Sequence, residues 1–566
     1  MREGGIKKNR GCLYVLLAVV LGPPVLATIA VPFVATYNAF EAFVKQGFGA
    51  GISGLFFAVI VWALYFGVFW VIWKFVLKKG KKTKEDKPTN PYAVVLETTK
   101  GKLILNNPFR GVFVAGAAGS GKSESVAVPL MKQYIEQKYA GIVYDFKFPT
   151  LANDVESFLG ANSSGLRHFY LNFNNPLQSY RVNPLNPKYL PNTSYAREYA
   201  SAIIGNLMKE SIKKPDFWTR SATDLLTACI WYLRVERPDI CDLPHVFAMI
   251  TSNDVALLKT LQKNEQTAQM TISIYNAMER GADSQVSGVI GTLQGAIAQI
   301  NTPELMYIFS KDDFSLDVND PANPILLTVG SYPTLTSTFA PLCSLVITVA
   351  TKLMNQPSKT PSFVLLDEAP TCFVPNLEIL PNTGRSNKIS TVLMCQDLAQ
   401  LTDGYGKEKA DVLFAACNNH FYGRVASSIT ADQLSKQFGK RDKVYTTSGT
   451  SSKNTDWISR TWSDTETIQE RDVLKGADIL RFGVGEFAGI LVESNIDQFR
   501  RKFIPAQRPP QKPLSTPQTA NFSTINDYYK TVRHNVKMML ESGGSVGEYD
   551  RDNVKLHESK RNKFEL

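Results

Sequence analysis

The chain has 566 residues, of which 44% are hydrophobic and 20% charged, and a formal net charge of +11. This length predicts roughly two to four domains, and the composition excludes a wholly disordered chain, a collagen-like fibre and a small disulfide scaffold. The positive excess lies at the two ends: residues 1–90 hold 12 basic and 4 acidic side chains, residues 501–566 hold 12 and 7, and the middle is nearly neutral. A high isoelectric point is therefore weak evidence that the central part binds nucleic acid.

Two apolar segments predict a membrane anchor over residues 1–90. Residues 11–37 and 52–73 contain no charged side chain, and about 20 apolar residues in a helix span a bilayer. We predict transmembrane helices at about 11–37 and 52–77. Basic residues precede the first segment and follow the second, so the positive-inside rule places both flanks in the cytoplasm. A cleaved signal peptide is the alternative interpretation of the first segment.

A phosphate-binding loop is predicted directly after the short apolar run Gly111–Ala115. The next residues read Gly-Ala-Ala-Gly-Ser-Gly-Lys-Ser, and a helix-patterned stretch follows. This is the pattern G-x-x-x-x-G-K-[ST] between a strand and a helix, where backbone N–H groups bind phosphate. Lys122 would contact the β- and γ-phosphates of ATP, and Ser123 would bind Mg²⁺. The candidate ATP-binding residues are Gly116, Ala117, Ala118, Gly119, Ser120, Gly121, Lys122 and Ser123.

Two carboxylates, Asp367 and Glu368, follow the apolar run Ser362–Leu366. In a P-loop fold the carboxyl end of such a strand faces the phosphates. Asp367 would then hold Mg²⁺, and Glu368 would polarise the water that attacks the γ-phosphate. A buried strand that ends in a solvated acidic pair is the alternative. The adjacent glutamate favours hydrolysis over nucleotide binding alone.

Further apolar runs separated by helical patterns predict a parallel sheet and an α/β fold class. These runs are 141–147, 324–331, 389–396 and 420–425. Gln396 ends one of them and is a candidate sensor of the γ-phosphate. Asp145 and Lys147 would lie at the same edge of the sheet. For all three, a purely structural role at a strand end is the alternative.

Two arginines are candidate fingers that act across a subunit boundary, Arg385 and Arg424. An arginine that reaches the γ-phosphate bound by a neighbouring subunit would stabilise charge in the transition state. A packing or surface arginine is the alternative for each. We take Arg385 as the predicted catalytic residue and keep Arg424 as the second candidate.

The predicted domains follow from this alternation. Residues 91–185 and 306–504 form a P-loop ATPase domain, and the helix-patterned residues 186–305 form an inserted all-α domain. The polar residues 441–465 predict a mobile loop or hairpin. Residues 505–566 begin rich in proline and become basic, which predicts a flexible basic tail with one helix at 523–541.

The order of these features resembles the type IV coupling proteins of bacterial conjugation, the TraG/TraD-like class. The resemblance covers about residues 10–500. Besides the loop at 116–123, it rests on Asp145–Lys147, Leu366–Ala369, Gly384–Ser386, Cys395–Asp397 and Gly485–Gly489. It implies a RecA-like P-loop NTPase domain with an inserted all-α domain, preceded by two transmembrane helices.

The resemblance also implies a function. Such a protein is a multi-pass protein of the bacterial cytoplasmic membrane, with most of its mass in the cytoplasm. It is expected to act as a homo-hexamer that uses ATP and Mg²⁺ to pump single-stranded DNA, without sequence specificity. Its expected partners are relaxase or relaxosome proteins and components of the type IV secretion channel.

Two other functions stay open at this point. One is an ATP-dependent membrane receptor that recruits protein substrates to a secretion system. The other is a double-stranded DNA translocase of the chromosome-segregation type, which resembles this chain around the P-loop.

Overall fold

The computed structural model describes residues 33–38, 40–41, 44–45, 48–72, 88, 90–161, 165–452, 460–514, 517 and 521–541. The chain divides into two compact units, Met1–Lys87 and Pro88–Leu566. The predicted phosphate-binding loop and the acidic pair both lie in the second unit.

The first unit contains α1 (Phe48–Ile72), a helix of 25 residues without a charged side chain. At 1.5 Å per residue it is about 37 Å long, which exceeds the hydrocarbon thickness of a bilayer. Large apolar side chains, including Leu55, Phe56 and Leu64, are more than half exposed on several sides of it. The helix coincides with most of the second predicted span. The first predicted span, 11–37, lies almost wholly outside the described residues.

Among the described residues outside α1, whose side chains are described only in part, length and hydropathy identify one candidate span, Pro333–Met354. Of its most apolar part, 67% is buried inside the second unit. Phe339, Leu342 and Val346 are among its side chains in the hydrophobic core. This stretch is therefore a core helix of the second unit.

The strands of the second unit are β1 (Val94–Thr98), β2 (Gly101–Leu105), β3 (Val112–Ala115), β4 (Ala140–Asp145), β5 (Arg167–Leu171), β6 (Ile325–Gly330), β7 (Ser362–Leu366), β8 (Ile389–Cys395), β9 (Asn419–Tyr422), β10 (Lys440–Ser452), β11 (Arg460–Asp472), β12 (Glu486–Ile490) and β13 (Gln498–Lys502). Its helices are α2 (Val128–Glu136), α3 (Thr150–Ala161), α4 (Thr193–Leu207), α5 (Glu210–Lys213), α6 (Phe217–Glu236), α7 (Leu243–Ile250), α8 (Asp254–Leu261), α9 (Glu265–Glu279), α10 (Asp283–Ala298), α11 (Pro303–Ile308), α12 (Thr336–Met354), α13 (Leu380–Thr383), α14 (Leu398–Tyr405), α15 (Lys407–Ala416), α16 (Ser428–Lys436), α17 (Gly476–Ile479) and α18 (Phe522–Glu541).

A nine-stranded mixed sheet forms the centre of this unit, with the strand order β13-β12-β9-β3-β8-β7-β4-β6-β5. The seven strands from β9 to β5 are parallel, and β12 and β13 extend the sheet in antiparallel fashion. The parallel strands are apolar and buried on both faces, as expected for a sheet covered by helices. Every strand predicted from an apolar run is present in this sheet. We call the edge formed by the carboxyl ends of the parallel strands the carboxyl edge.

The regular elements between β5 and β6 are all helical. Two short 3₁₀ turns, Pro176–Gln178 and Pro187–Tyr189, come first, and α4 to α11 then run from Thr193 to Ile308. The prediction placed an all-α domain at 186–305. These helices share one hydrophobic core with the sheet, since Leu226 of α6 and Leu327 of β6 belong to the same cluster of buried side chains. We refer to Thr193–Ile308 as the helical segment, a part of the compact unit Pro88–Leu566.

A long antiparallel hairpin follows α16. Strands β10 and β11 each have 13 residues and pair from Lys440 opposite Asp472 to Ser452 opposite Arg460. The described side chains near its base are mostly exposed. Of the two predicted alternatives for residues 441–465, a mobile loop or a hairpin, the described residues form the hairpin.

The C-terminal helix α18 lies where a helix was predicted, but its surroundings differ from a flexible tail. Its side chains Ile525, Val532, Val536 and Met539 are buried, at helical spacing along one face. That face packs against α7 and α11 of the helical segment. The basic and proline-rich composition predicted flexibility, whereas this apolar stripe provides enough buried surface to dock the helix. Residues 542–566 lie outside the described part of the chain.

One buried histidine should make the stability of the unit Pro88–Leu566 depend on pH. The ring of His420 on β9 lies 4.7 Å from that of Phe414 and 5.9 Å from that of Phe113, measured between centroids. Burial lowers the pKa of His420 from 6.5 to about 4. The folded state therefore favours the neutral form of His420, and the stability that this preference contributes is complete above pH 6.5. That stability is lost as the pH falls from 6.5 towards 4.

We expect the variant His420→Phe, which keeps a ring of similar shape but cannot titrate, to gain stability relative to the parent protein as the pH falls. Between pH 7 and pH 5 the relative gain should be about 2 kcal/mol, since each pH unit corresponds to about 1.4 kcal/mol. Urea-induced unfolding of both proteins at the two pH values measures it. If the free energy of unfolding changed with pH equally in the two proteins, this would contradict a lowered pKa for His420.

Candidate nucleotide-binding site

The predicted phosphate-binding loop connects β3 to a widened π-helical turn, Ser123–Ala127, that continues into α2. Gly119 and Gly121 have φ values of 74° and 91°, which glycine adopts at little cost because it lacks a Cβ. A Cβ on Gly121 would also lie 3.1 Å from the backbone nitrogen of Gly485. The loop is held from both sides, since the N–H of Ala117 donates to the carbonyl of Arg424 at 2.6 Å and that of Gly485 donates to the carbonyl of Ser120 at 2.9 Å.

The side chain of Lys122 lies over this loop. It is only 9% exposed, and its Nζ donates to the carbonyl of Gly116. Burial lowers the pKa of Lys122, and the nearby carboxylates of Glu368 and Asp367 oppose that shift. A buried ammonium group within a loop of backbone donors is suited to bind a polyphosphate.

Ser120 provides a further sign that the loop is built for a ligand. Its side chain is 1% exposed, and its Oγ has no hydrogen-bond partner among the described residues. Buried hydroxyl groups in folded proteins almost always have a partner. A bound phosphate oxygen would supply one.

Asp367 lies beside Ser123, as a shared magnesium site requires. The hydroxyl of Ser123 donates to Oδ1 of Asp367 at 3.3 Å. Burial raises the pKa of Asp367, while the charge of Lys122 and the hydrogen bond from Ser123 lower it. One hydroxyl and one carboxylate fit Mg²⁺, which usually keeps water and substrate phosphate as its other ligands. The residues that the structure describes contain no cluster of three or more His, Cys, Asp or Glu side chains that could enclose a metal by themselves.

Glu368 is buried, at 5% exposure, and its carboxylate is fixed by Gln396. The backbone N–H of Gln396 donates to Oε1 of Glu368 at 3.1 Å, and its side-chain amide donates to Oε2 at 3.2 Å. Burial is the main cause that raises the pKa of Glu368. A carboxylate with a raised pKa is a stronger general base. The structure therefore brings Gln396 to the site, where it orients Glu368.

Asp145 lies at the same edge, and its hydrogen-bond partners are backbone groups that follow β4. It is fully buried, and Oδ2 accepts hydrogen bonds from the N–H groups of Leu151 at 2.8 Å and Ala152 at 3.1 Å. Burial raises the pKa of Asp145 to about 7, and these backbone donors oppose the shift. Its contacts are those of a cap for α3. Lys147 acts on the site by charge, since it lowers the pKa of Asp367.

The two candidate arginines lie at opposite edges of the sheet. Arg385 precedes β8, so it lies at the edge formed by the amino ends of the parallel strands, which we call the amino edge. This places it away from the phosphate-binding loop of its own chain. There Nη2 of Arg385 lies 3.8 Å from Oε1 of Glu493, and this carboxylate also forms an ion pair with Arg110. Arg424 follows β9, at the carboxyl edge beside the loop, and is exposed.

The loop that holds Gly485 was identified only through resemblance, and its role in the site was not predicted. Its neighbour Val484 is 65% exposed. The residues Gly483 and Gly485 flank that valine, and this spacing is the sequence signal that could have indicated a close backbone contact.

Comparisons with known proteins agree with this geometry. A family model described as type IV secretory system conjugative DNA transfer matches residues 73–491. A search of curated protein sequences found no match. Among solved structures, the chain is similar to the bacterial conjugative coupling protein TrwBdeltaN70 in its unbound monoclinic form. That similarity has 15% identity and a TM-score of 0.58, and it covers 77% of this chain and 92% of the other.

Two nucleotide complexes are also similar in fold. They are the plasmid coupling protein TrwB with ADP and Mg²⁺ (15% identity, TM-score 0.52, covering 71% of this chain and 88% of that one) and with the non-hydrolysable ATP analogue ADPNP (15% identity, TM-score 0.55, covering 72% and 88%). At this identity the structures establish a common α/β fold with a mixed sheet. The family model includes the phosphate-binding loop, both carboxylates and the helical segment. The chain therefore belongs to the type IV secretory family of conjugative DNA transfer and is a type IV coupling protein.

Proposed function

We propose that this coupling protein is a membrane-anchored ATPase that drives single-stranded DNA through a type IV secretion channel. The observation that carries the proposal is the buried carboxylate of Glu368, held by two hydrogen bonds from Gln396 next to the phosphate-binding loop. A protein that only bound nucleotide would not need an oriented base at this position. The complexes of TrwB with ADP, Mg²⁺ and ADPNP support nucleotide binding in related proteins.

In the proposed mechanism, the loop 116–123 and Lys122 hold the phosphates of ATP. Ser123 and Asp367 would hold Mg²⁺, which when bound neutralises charge on the β- and γ-phosphates. Glu368 orients the attacking water and accepts its proton. Gln396 keeps the carboxylate of Glu368 in the required direction through its two hydrogen bonds. Lys122 stabilises negative charge that develops on the γ-phosphate.

Arg385 acts across a subunit boundary in this proposal. Its side chain is 48% exposed at the amino edge of the sheet, away from its own loop. In a closed ring of copies, the amino edge of one subunit can face the carboxyl edge of the next. Arg385 would then reach the γ-phosphate bound by that neighbour. We propose a closed ring on this basis and, from the resemblance to coupling proteins, a homo-hexamer, with Arg424 as the alternative finger.

Type IV coupling proteins are membrane-associated. We propose that α1, with its 25 uncharged residues, is one span of a multi-pass anchor in the bacterial cytoplasmic membrane. The segment 11–37 would be the other, and the bulk of the chain would lie in the cytoplasm. Relaxase or relaxosome proteins and components of the secretion channel are the proposed protein partners.

DNA stimulation of ATP hydrolysis tests the function. We expect single-stranded DNA to raise the rate of the full-length protein in lipid several-fold at low salt. The effect should fall steeply with salt, because a sequence-nonspecific motor holds DNA through its phosphates. The Lys122→Ala variant is the negative control, in which ATP hydrolysis should be lost with and without DNA.

The other outcomes distinguish the alternatives. Hydrolysis that is indifferent to DNA would favour a receptor that recruits protein substrates. Stimulation by duplex DNA but not by single strands would favour a translocase of the chromosome-segregation type. Either result would overturn single-stranded DNA pumping.

A further inference from the structure

The chain that follows β13 crosses the helices that start at the nucleotide site. We call residues 504–514 the strap. It begins where the N–H of Ile504 donates to the carbonyl of Glu97 at 2.9 Å. Ala506 then packs against the hydrophobic core on the α2 side of the sheet. Leu514, at the other end, packs against Phe148, Ala152 and Tyr170.

Arg508 is the central contact of the strap. Its guanidinium group binds two carboxylates at once, those of Glu124 and Asp154. Nη1 and Nη2 donate to Glu124, the latter at 2.8 Å, while Nε and Nη2 donate to Asp154 at 2.6 and 3.1 Å. Only the planar fork of an arginine can satisfy two carboxylates in this way.

The two carboxylates belong to the two helices that begin at the carboxyl edge. Glu124 directly follows Ser123, the proposed magnesium ligand, in the π-helical turn. Asp154 lies on α3, whose first turn is capped by Asp145, and its side chain is only 3% exposed. Arg508 therefore connects the start of the nucleotide-binding helix to a buried charge on its neighbour. Without Arg508, the carboxylate of Asp154 would be buried without its cationic partner.

Beyond the strap, the chain docks on the helical segment through α18. The ring of Tyr528 on α18 lies 6.0 Å from that of Tyr307 on α11. Nδ2 of Asn535 lies 3.4 Å from Nε2 of His245 on α7. The described parts of the C-terminal chain thus contact the start of the phosphate-binding helix, through residues 504–514, and the helical segment, through residues 521–541.

We propose that the strap couples nucleotide binding to the helical segment, with Arg508 as the positioning residue. When phosphate orders the turn at Ser123, Glu124 moves with it, and Arg508 transmits that change to the strap and α18. Coupling of this kind is reciprocal, so changes in the docking of α18 alter nucleotide affinity by the same factor. The inference rests on the proposed nucleotide binding, but it does not depend on hydrolysis or on DNA.

Hydrogen exchange of the full-length protein, with and without ADP and Mg²⁺, tests the coupling. We expect the nucleotide to slow exchange about tenfold in residues 505–514 and in α18 of the parent protein. The variant Arg508→Ala should lose this response and bind ADP about tenfold more weakly. Arg508→Lys should fail to restore it, because an ammonium group cannot bind both carboxylates in fork geometry.

Glu124→Gln is the second variant, chosen in case Arg508→Ala loosens the whole fold. Glu124 is 48% exposed, and its replacement leaves the pair of Arg508 and Asp154 intact. We expect it also to abolish the response of the strap and α18. Arg237→Ala is the matched control, because it removes an arginine that makes two hydrogen bonds to Asp239 in the helical segment and should keep the full response.

A strap that does not respond to ADP in the parent protein would overturn the coupling. So would a full response in both Arg508→Ala and Glu124→Gln. If the parent protein fails to bind ADP at all, the proposed function and the coupling fail together. Loss of the coupling alone leaves ADP binding and ATP hydrolysis by the parent protein in place, so the two failures are distinguishable.

Discussion

Replacement of Glu368 by glutamine is expected to lower kcat for ATP hydrolysis by about 10²–10⁴-fold, the usual contribution of a positioned general base. Glutamine has nearly the same shape and can still contact Gln396, so the site should remain assembled. It cannot accept the proton of the attacking water. Since Lys122 and the loop at 116–123 are unchanged, the affinity for ATP should stay close to that of the parent protein.

Steady-state hydrolysis together with equilibrium binding of a fluorescent ATP analogue separates these two effects. Glu408→Gln makes the same chemical change at an exposed position of α15 and should leave both quantities unchanged. A kcat within tenfold of the parent value would show that another group activates the water.

Replacement of Lys122 by alanine should weaken binding of ATP and ADP by about 10–100-fold, because a charge-assisted hydrogen bond contributes about 1.5–3 kcal/mol. The thermal stability of the nucleotide-free protein should not fall in parallel. Removal of this buried ammonium group relieves a desolvation cost, which offsets the loss of its attraction to Glu368 and Asp367.

Calorimetric titration with ADP and Mg²⁺, and melting curves without nucleotide, test both parts. Lys132→Ala is the matched control, since Lys132 lies on α2, just beyond the loop, and pairs only weakly with Glu136 at 3.9 Å. Unchanged affinity in Lys122→Ala would mean that the phosphates lie elsewhere. A large loss of stability would mean that the lysine is a structural element of the loop.

The central sheet and its phosphate loop could be predicted because their signals are local. Parallel strands buried on both faces are continuous apolar runs, and the spacing of Gly116, Gly121 and Lys122 between a strand and a helix is typical of a phosphate-binding loop. Asp367 and Glu368 were placed correctly at the carboxyl edge because their strand ends immediately before them. In each case a few consecutive residues determine both the element and its place at the site.

Roles that depend on distant partners were not predictable in this way. Whether Gln396 contacts a phosphate or Glu368 depends on side-chain directions of two neighbouring strands. The pairing of Arg508 with Glu124 joins residues 384 positions apart, and nothing near Arg508 indicates it. Proline-rich composition favoured a flexible tail, while the docking of α18 depends on a matching surface formed by other helices.

The sheet order has a consequence for how the protein folds during synthesis. Val112 of β3 pairs with Val392 of β8 and Asn419 of β9, which are made 280 and 307 residues later. Until both partners leave the ribosome, β3 exposes two unpaired edges and cannot hold the loop that follows it. Such long-range pairing slows folding and leaves apolar strands open to aggregation. The apolar segments near the N-terminus are made long before that, so under the proposed topology they would enter the membrane ahead of an unfinished nucleotide-binding unit. The nascent chain should therefore depend on chaperones until β9 has emerged, and it should become resistant to protease only after that point.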